Sequence, residues 1–181
     1  MYFEPKTITL KDGRSCLLRP PQLEDVEEML AFLHQASAET HFLLREPADV
    51  TDTLESEHLF IQNSLSSDSH LMIVAEVNGK LAGNCGLDFK KFSKVKHRCE
   101  IGIGLLKEFW GLGIGSALFE EMFTIARAHG CTQMELKVIE GNQRGIALYE
   151  KKGFKLVGTI PNAICLQDGS YLKEYIMIKE L

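Results

Sequence analysis

The run Phe109-Trp110-Gly111-Leu112-Gly113-Ile114-Gly115-Ser116 sets three alternate glycines where a strand-like segment gives way to an apolar helical one. At the start of a helix, residues without side chains let a phosphate reach backbone N–H groups that already carry the positive end of the helix dipole. The chemistry on offer is the cradling of an anion; a plain tight turn into a helix uses the same glycines. Two narrower phosphate motifs fail on spacing. A dinucleotide fingerprint needs glycine where Ser116 stands, and a nucleotide P-loop needs a Lys followed by Ser or Thr, which this run lacks.

Just upstream, Ile101, Ile103 and Leu105 alternate with Glu100, Gly102 and Gly104. On a strand these two sets occupy opposite faces, and two glycines leave one face bare, as happens where a ligand or another backbone lies close. Glu100 stands at the edge of that floor. The plainer reading makes it a solvated carboxylate paired with Arg98 or Lys96. Downstream, Asn142 and Tyr149 are separated by about two helical turns, within about 20° of one face, so both can point at one ligand. The plainer reading makes Asn142 a helix cap and Tyr149 a packed core residue.

Other chemistry is missing its signatures. The six histidines show no metal-ligand spacing, no Gly-x-Ser-x-Gly elbow is present, and the five cysteines, Cys16, Cys85, Cys99, Cys131 and Cys165, include no Cys-x-x-Cys pair. No metal site is expected, and the thiols read as reduced and mostly buried. The basic run Lys90, Lys91, Lys94, Lys96 and Arg98 reads as a solvated hairpin.

The elements that must hold these residues follow from periodicity and turn chemistry. Residues 6–10 and 15–19 read as short strands joined at Asp12-Gly13, residues 22–36 and 51–65 as helices, and residues 70–77 and 81–89 as a hairpin about Asn78-Gly79. A second hairpin turns over residues 90–96 into a strand over 97–106. A helix opens at the glycines and stops at Gly130, a strand covers 133–139, and a helix spans 142–152 up to Gly153. Strands over 154–160 and 171–178 close the chain. The order predicted is ββ-αα-ββββ-α-β-α-ββ or nearly so, an α/β fold with a mixed, mostly antiparallel central sheet flanked by helices.

At 181 residues, with no repeat or linker composition, one domain over residues 1–181 is expected. Twenty Lys and Arg against twenty-five Asp and Glu give a net charge of −5, which removes the general attraction that nucleic-acid and anionic-membrane binders rely on. The longest uncharged stretch, residues 156–167, is far short of the roughly twenty apolar residues a membrane span needs. The N-terminal residues lack the basic start and apolar run of a secretory signal. A cytoplasmic protein with a small or neutral partner is the expectation.

Over residues 71–179 the chain resembles the GNAT superfamily of acyl-CoA-dependent N-acyltransferases. Its first signature, Gln/Arg-x-x-Gly-x-Gly/Ala, is matched by Gly113 and Gly115, with Trp110 in the Gln/Arg slot. The second, an Asn followed by a helix ending in Tyr and Gly-Phe, is matched by Asn142, Tyr149, Gly153 and Phe154, about thirty residues on. Gly145 stands where the family often has Ala, at a cost to the helix of up to about 1 kcal/mol. The resemblance implies that Gly111, Leu112, Gly113, Ile114, Gly115 and Ser116, with Asn142, bind acetyl-CoA. It also implies that amides around Leu105 hold the pantetheine arm and polarise the thioester, that Tyr149 protonates the departing thiolate, and that Glu100 acts as base.

The reaction needs both proton carriers: an amine with pKa near 10.4 must lose a proton to attack, and a thiolate of pKa about 8.5 leaves more easily once protonated. The expected activity is acetyl transfer from acetyl-CoA to a primary amine of a small molecule or a protein N-terminus, with a homodimer compatible with it. A non-catalytic acyl-CoA-binding sensor or scaffold module is the alternative. Residues 41–49 and 161–170, the least family-like segments, are expected to hold the acceptor.

Overall fold

The computed structural model describes residues 3–181, which fall into two compact units. The first comprises the chain up to Asp88 together with Ile103–Leu118, and the second Phe89–Gly102 with Phe119–Leu181.

In the first unit β1 (Lys6–Thr9), β2 (Ser15–Arg19), β3 (His70–Val77) and β4 (Lys80–Phe89) are successive antiparallel neighbours. The β3–β4 turn is Asn78-Gly79 with both residues at positive φ, as the sequence pattern requires. Two helices follow β2: α1 (Val26–Glu39) and α2 (Leu54–Ser66). Their apolar stripes meet β3 and β4 in a cluster of Val26, Met29, Ile61, Met72, Val74 and Leu81. A single 3₁₀ turn (Leu23–Asp25) precedes α1 where sequence reading has helix. Its Asp25 carboxylate accepts two bonds from the buried Arg19 guanidinium, at 2.6 and 2.8 Å, and Arg19 also donates to Glu76 on β3. This network joins β2, β3 and α1. Removing Arg19 or Asp25 would strand a buried charge, a loss of about 3–5 kcal/mol.

The second unit holds the start of β5 (Arg98–Leu105), most of α3 (Ile114–Ala128), β6 (Gln133–Ile139), α4 (Gln143–Lys151), β7 (Lys155–Cys165) and β8 (Tyr171–Glu180). β5 and β6 pair in parallel, while β8 lies antiparallel to both β6 and β7. Helix α3 stops where Gly130 takes φ 84°. Phe119 and Phe123 pack with Tyr149 and Phe154, Phe119 meeting both of the latter edge-on.

Pairing is thus mixed and mostly antiparallel, and the α/β class expected from sequence is the one found. Two details differ. Three strands, not four, lie between α2 and α3, because the second hairpin uses β4 as its incoming arm. β7 continues past Pro161 to Cys165, since it pairs on one side only with β8 and absorbs the proline in an irregularity between Ile160 and Ile164.

Candidate active site

The glycine run folds as a cradle at the end of β5. Gly111 and Gly113 sit at φ 78° and 105°, a backbone region that side chains disfavour. The first α-helical bond of α3 runs from Ala117 N to Gly113 O at 3.1 Å. The amides of Ile114, Gly115 and Ser116 therefore have no acceptor within the helix. A Cβ added at Gly113 would meet nothing within 4 Å, so the space beside the turn is open. Those features fit an incoming anion. The loop is fixed from outside by Lys11 N, which donates to Leu112 O at 3.1 Å.

Trp110, in the slot where the two-signature pattern has Gln or Arg, donates its indole N–H to Leu105 O at 2.7 Å. It ties the cradle to the strand end. Leu106 N donates to Ala82 O on β4, and Lys107 N to Glu39 Oε2 at 2.6 Å. Leu105 and the cradle are thereby held in one assembly within the first unit.

Gly83, which sequence reading passed over, sets how close the strands come. A Cβ there would lie 2.3 Å from Gly104 O, 2.4 Å from Leu105 Cδ2 and 2.9 Å from Leu105 Cα. Its signal was a glycine inside a strand pattern. Because the obstacle is largely backbone, Gly83→Ala is expected to destabilise the protein by about 1–3 kcal/mol. Thermal denaturation should show a melting temperature several degrees lower, and an unchanged one would mean that the strand end shifts freely.

The floor expected opposite Ile101 and Ile103 is bare only in part. A Cβ at Gly102 meets nothing within 4 Å, whereas at Gly104 it would lie 3.4 Å from Phe32 Cζ, 3.9 Å from Leu43 Cδ2 and 4.0 Å from Asn84 Oδ1. Gly104 is roofed by α1 and by the segment after it, which includes part of the stretch expected to hold the acceptor.

In the second unit Glu100 pairs with neither Arg98 nor Lys96. Its Oε2 accepts from Lys90 Nζ at 2.8 Å, and this bond holds the Lys90 ammonium above its ordinary pKa. Arg98 instead donates from Nε and Nη2 to Glu135. The parallel β5–β6 register sets Arg98 opposite Gln133 and Glu100 opposite Glu135, and the guanidinium lowers the pKa of Glu135. Asn142 caps α4, its Oδ1 accepting from Gly145 N at 2.9 Å. A Cβ at Gly145 would lie 2.8 Å from Asn142 Nδ2, so the glycine found where Ala is usual leaves room for this cap. Tyr149 is only 8% exposed, its ring edge-on to Phe119.

Among the described residues no group of three or more His, Cys, Asp and Glu is placed to hold a metal, and no helix is long and apolar enough to cross a membrane.

Comparison with known proteins is consistent across sequence and structure. The model of the acetyltransferase (GNAT) family matches residues 30–154. An acetyltransferase from Pectobacterium atrosepticum is 29% identical over 133 residues, 72% of this chain and 90% of that protein. A GNAT-family acetyltransferase from Streptococcus pneumoniae has a similar structure, with a TM-score of 0.85 at 30% identity over 92% of this chain and 99% of its own. The ribosomal-protein-alanine N-acetyltransferase of Brucella melitensis gives 0.78 at 26% identity, over 91% and 99%.

Proposed function

The chain belongs to the GNAT acetyltransferase family, and from that premise we propose that it transfers an acetyl group from acetyl-CoA to a primary amine. One observation carries the reading: the turn at Gly111 and Gly113 leads into three amides at the start of α3 that have no acceptor within the helix. A pyrophosphate is the anion such a set of donors suits.

In this reading the amides of Ile114, Gly115 and Ser116 bind the pyrophosphate, and Gly111, Leu112 and Gly113 give it passage. Asn142 contributes by fixing the start of α4. The backbone N–H of Leu105 stabilises the negative charge that grows on the acyl oxygen, a role that preorganised donors fill best, while the amides of Leu106 and Lys107 are taken by Ala82 O and Glu39 Oε2 and fix the strand end. Glu100 accepts the amine's proton, directly or through a water, the C–N bond forms, and the C–S bond breaks. Tyr149 gives its hydroxyl proton to the leaving sulfur. Both small amines and peptide N-termini fall within this chemistry, and the Brucella relative's name supports the latter.

Glu100→Gln is expected to lower kcat/KM at neutral pH and less at high pH, where solution deprotonates the amine unaided. Superimposable profiles for variant and parent would assign the proton to another group. The engagement of Glu100 by Lys90 favours one other reading, an acyl-CoA binder that performs no transfer. Incubation with acetyl-CoA and a panel of amines, followed by thiol titration and mass spectrometry, separates the two. Free CoA with an equal amount of N-acetylated product supports transfer; tight binding without consumption supports the binder.

A further inference from the structure

Glu57 is the anomaly of the first unit. It sits on α2 one turn before Ile61, on the face turned into the core, and is only 3% exposed. Its Oε1 is buried with no hydrogen-bond partner. Burial, with Asp52 adding to it, pushes the Glu57 carboxyl above its ordinary pKa, and only the field of Arg45 opposes this. Arg45 is committed elsewhere: its Nη1 lies 2.6 Å from Asp52 Oδ2, and its side chain is 51% exposed. A buried carboxylate oxygen is normally satisfied, and one left bare calls for a missing partner. For an acceptor-only group, that partner is a cation or a strong donor.

Its surroundings connect it to the proposed reaction. The segment that supplies Arg45 and Asp52 also supplies Leu43, which roofs Gly104 beside Leu105. Leu43 and Arg45 are two residues apart, about 7 Å at full extension. At the other side Glu39 holds the amide of Lys107. Residues 39–57 carry six carboxylates, Glu39, Glu46, Asp49, Asp52, Glu55 and Glu57, against the single arginine. Such an excess draws cations toward this segment.

We propose that Glu57 is the recognition carboxylate for the acceptor, and that the acceptor is an aliphatic di- or polyamine whose second cationic nitrogen pairs with Glu57 while the first is acetylated. The inference rests on the acetyl-transfer reading above. Arg45, half exposed and held by Asp52, is the side chain that yields as the cation arrives. An ammonium on Glu57 restores the hydrogen bond that Oε1 lacks, and the chain length between the two nitrogens then selects the acceptor.

The test compares diaminobutane with butylamine, which differ in the second charge. The parent is expected to show a kcat/KM at least about tenfold higher for diaminobutane, the scale of one charge-assisted hydrogen bond. Glu57→Gln, nearly isosteric, should bring that ratio toward one, mainly through a higher KM for the diamine. Arg45→Gln, which removes the competing cation, should lower the KM for diaminobutane. Equal kcat/KM for the two amines in the parent would overturn the proposal, and so would a Glu57→Gln variant that keeps the parent's ratio. Should neither amine be acetylated, the transfer reading is what fails. Calorimetric titration of the protein with diaminobutane alone then decides the site: weaker binding by Glu57→Gln supports it, and equal or absent binding by the parent and variant overturns it. Thermal denaturation of both variants verifies that they are folded.

Discussion

Tyr149→Phe is expected to lower kcat by about 10²–10⁴, the range that a general acid contributes, while the fold survives. The phenyl ring left behind occupies the same buried place, edge-on to Phe119 at 5.7 Å between centroids and 6.2 Å from Phe154. Only a hydroxyl is removed, so stability should change by about 1 kcal/mol. The loss should fall on kcat more than on KM, because the proton is given to sulfur as the C–S bond breaks. Steady-state kinetics with acetyl-CoA saturating measures this. A kcat within about twofold of the parent would take Tyr149 out of the reaction and leave it as a core residue.

Gly113→Asp is expected to abolish acetyl-CoA binding. The position offers room, since a Cβ there meets nothing within 4 Å, but its φ of +105° is one that L residues rarely adopt. Any side chain therefore costs about 1–3 kcal/mol of backbone strain, and aspartate adds a carboxylate where the pyrophosphate is proposed to lie. Gly113→Ala separates the two effects, as it bears the strain without the charge. Calorimetry should find binding weakened in the alanine variant and lost in the aspartate variant. If the aspartate variant is folded and binds acetyl-CoA as tightly as the parent, the anion site lies elsewhere.

Local chemistry was legible in the sequence; long-range partnership was not. Asn78-Gly79 reads as a two-residue hairpin turn because few other pairs accept positive φ twice in succession, and the structure has it. The bounds of β2, β3 and β6 follow from their apolar and β-branched runs and agree with the structure. Pro161 misled, since a proline ends most strands yet is accommodated where one edge of the strand is unpaired. Glu100 shows the limit most clearly. From sequence its neighbours Arg98 and Lys96 were the natural partners. Arg98 finds Glu135 across a parallel pairing that sequence separation conceals, and Lys90 reaches Glu100 across the hairpin instead. Glu57 looks like an ordinary helix acid until its burial is known.

The proposed mode of cofactor binding stands on whether the pyrophosphate of acetyl-CoA lies against the amides of Ile114, Gly115 and Ser116. Hydrogen exchange of these amides, followed by NMR with and without saturating acetyl-CoA, measures that directly. Slower exchange and shifted resonances at Ile114, Gly115 and Ser116, absent from Gly113→Asp, are expected. Unchanged exchange at all three, with acetyl-CoA bound and protection appearing in other segments, would contradict the cradle.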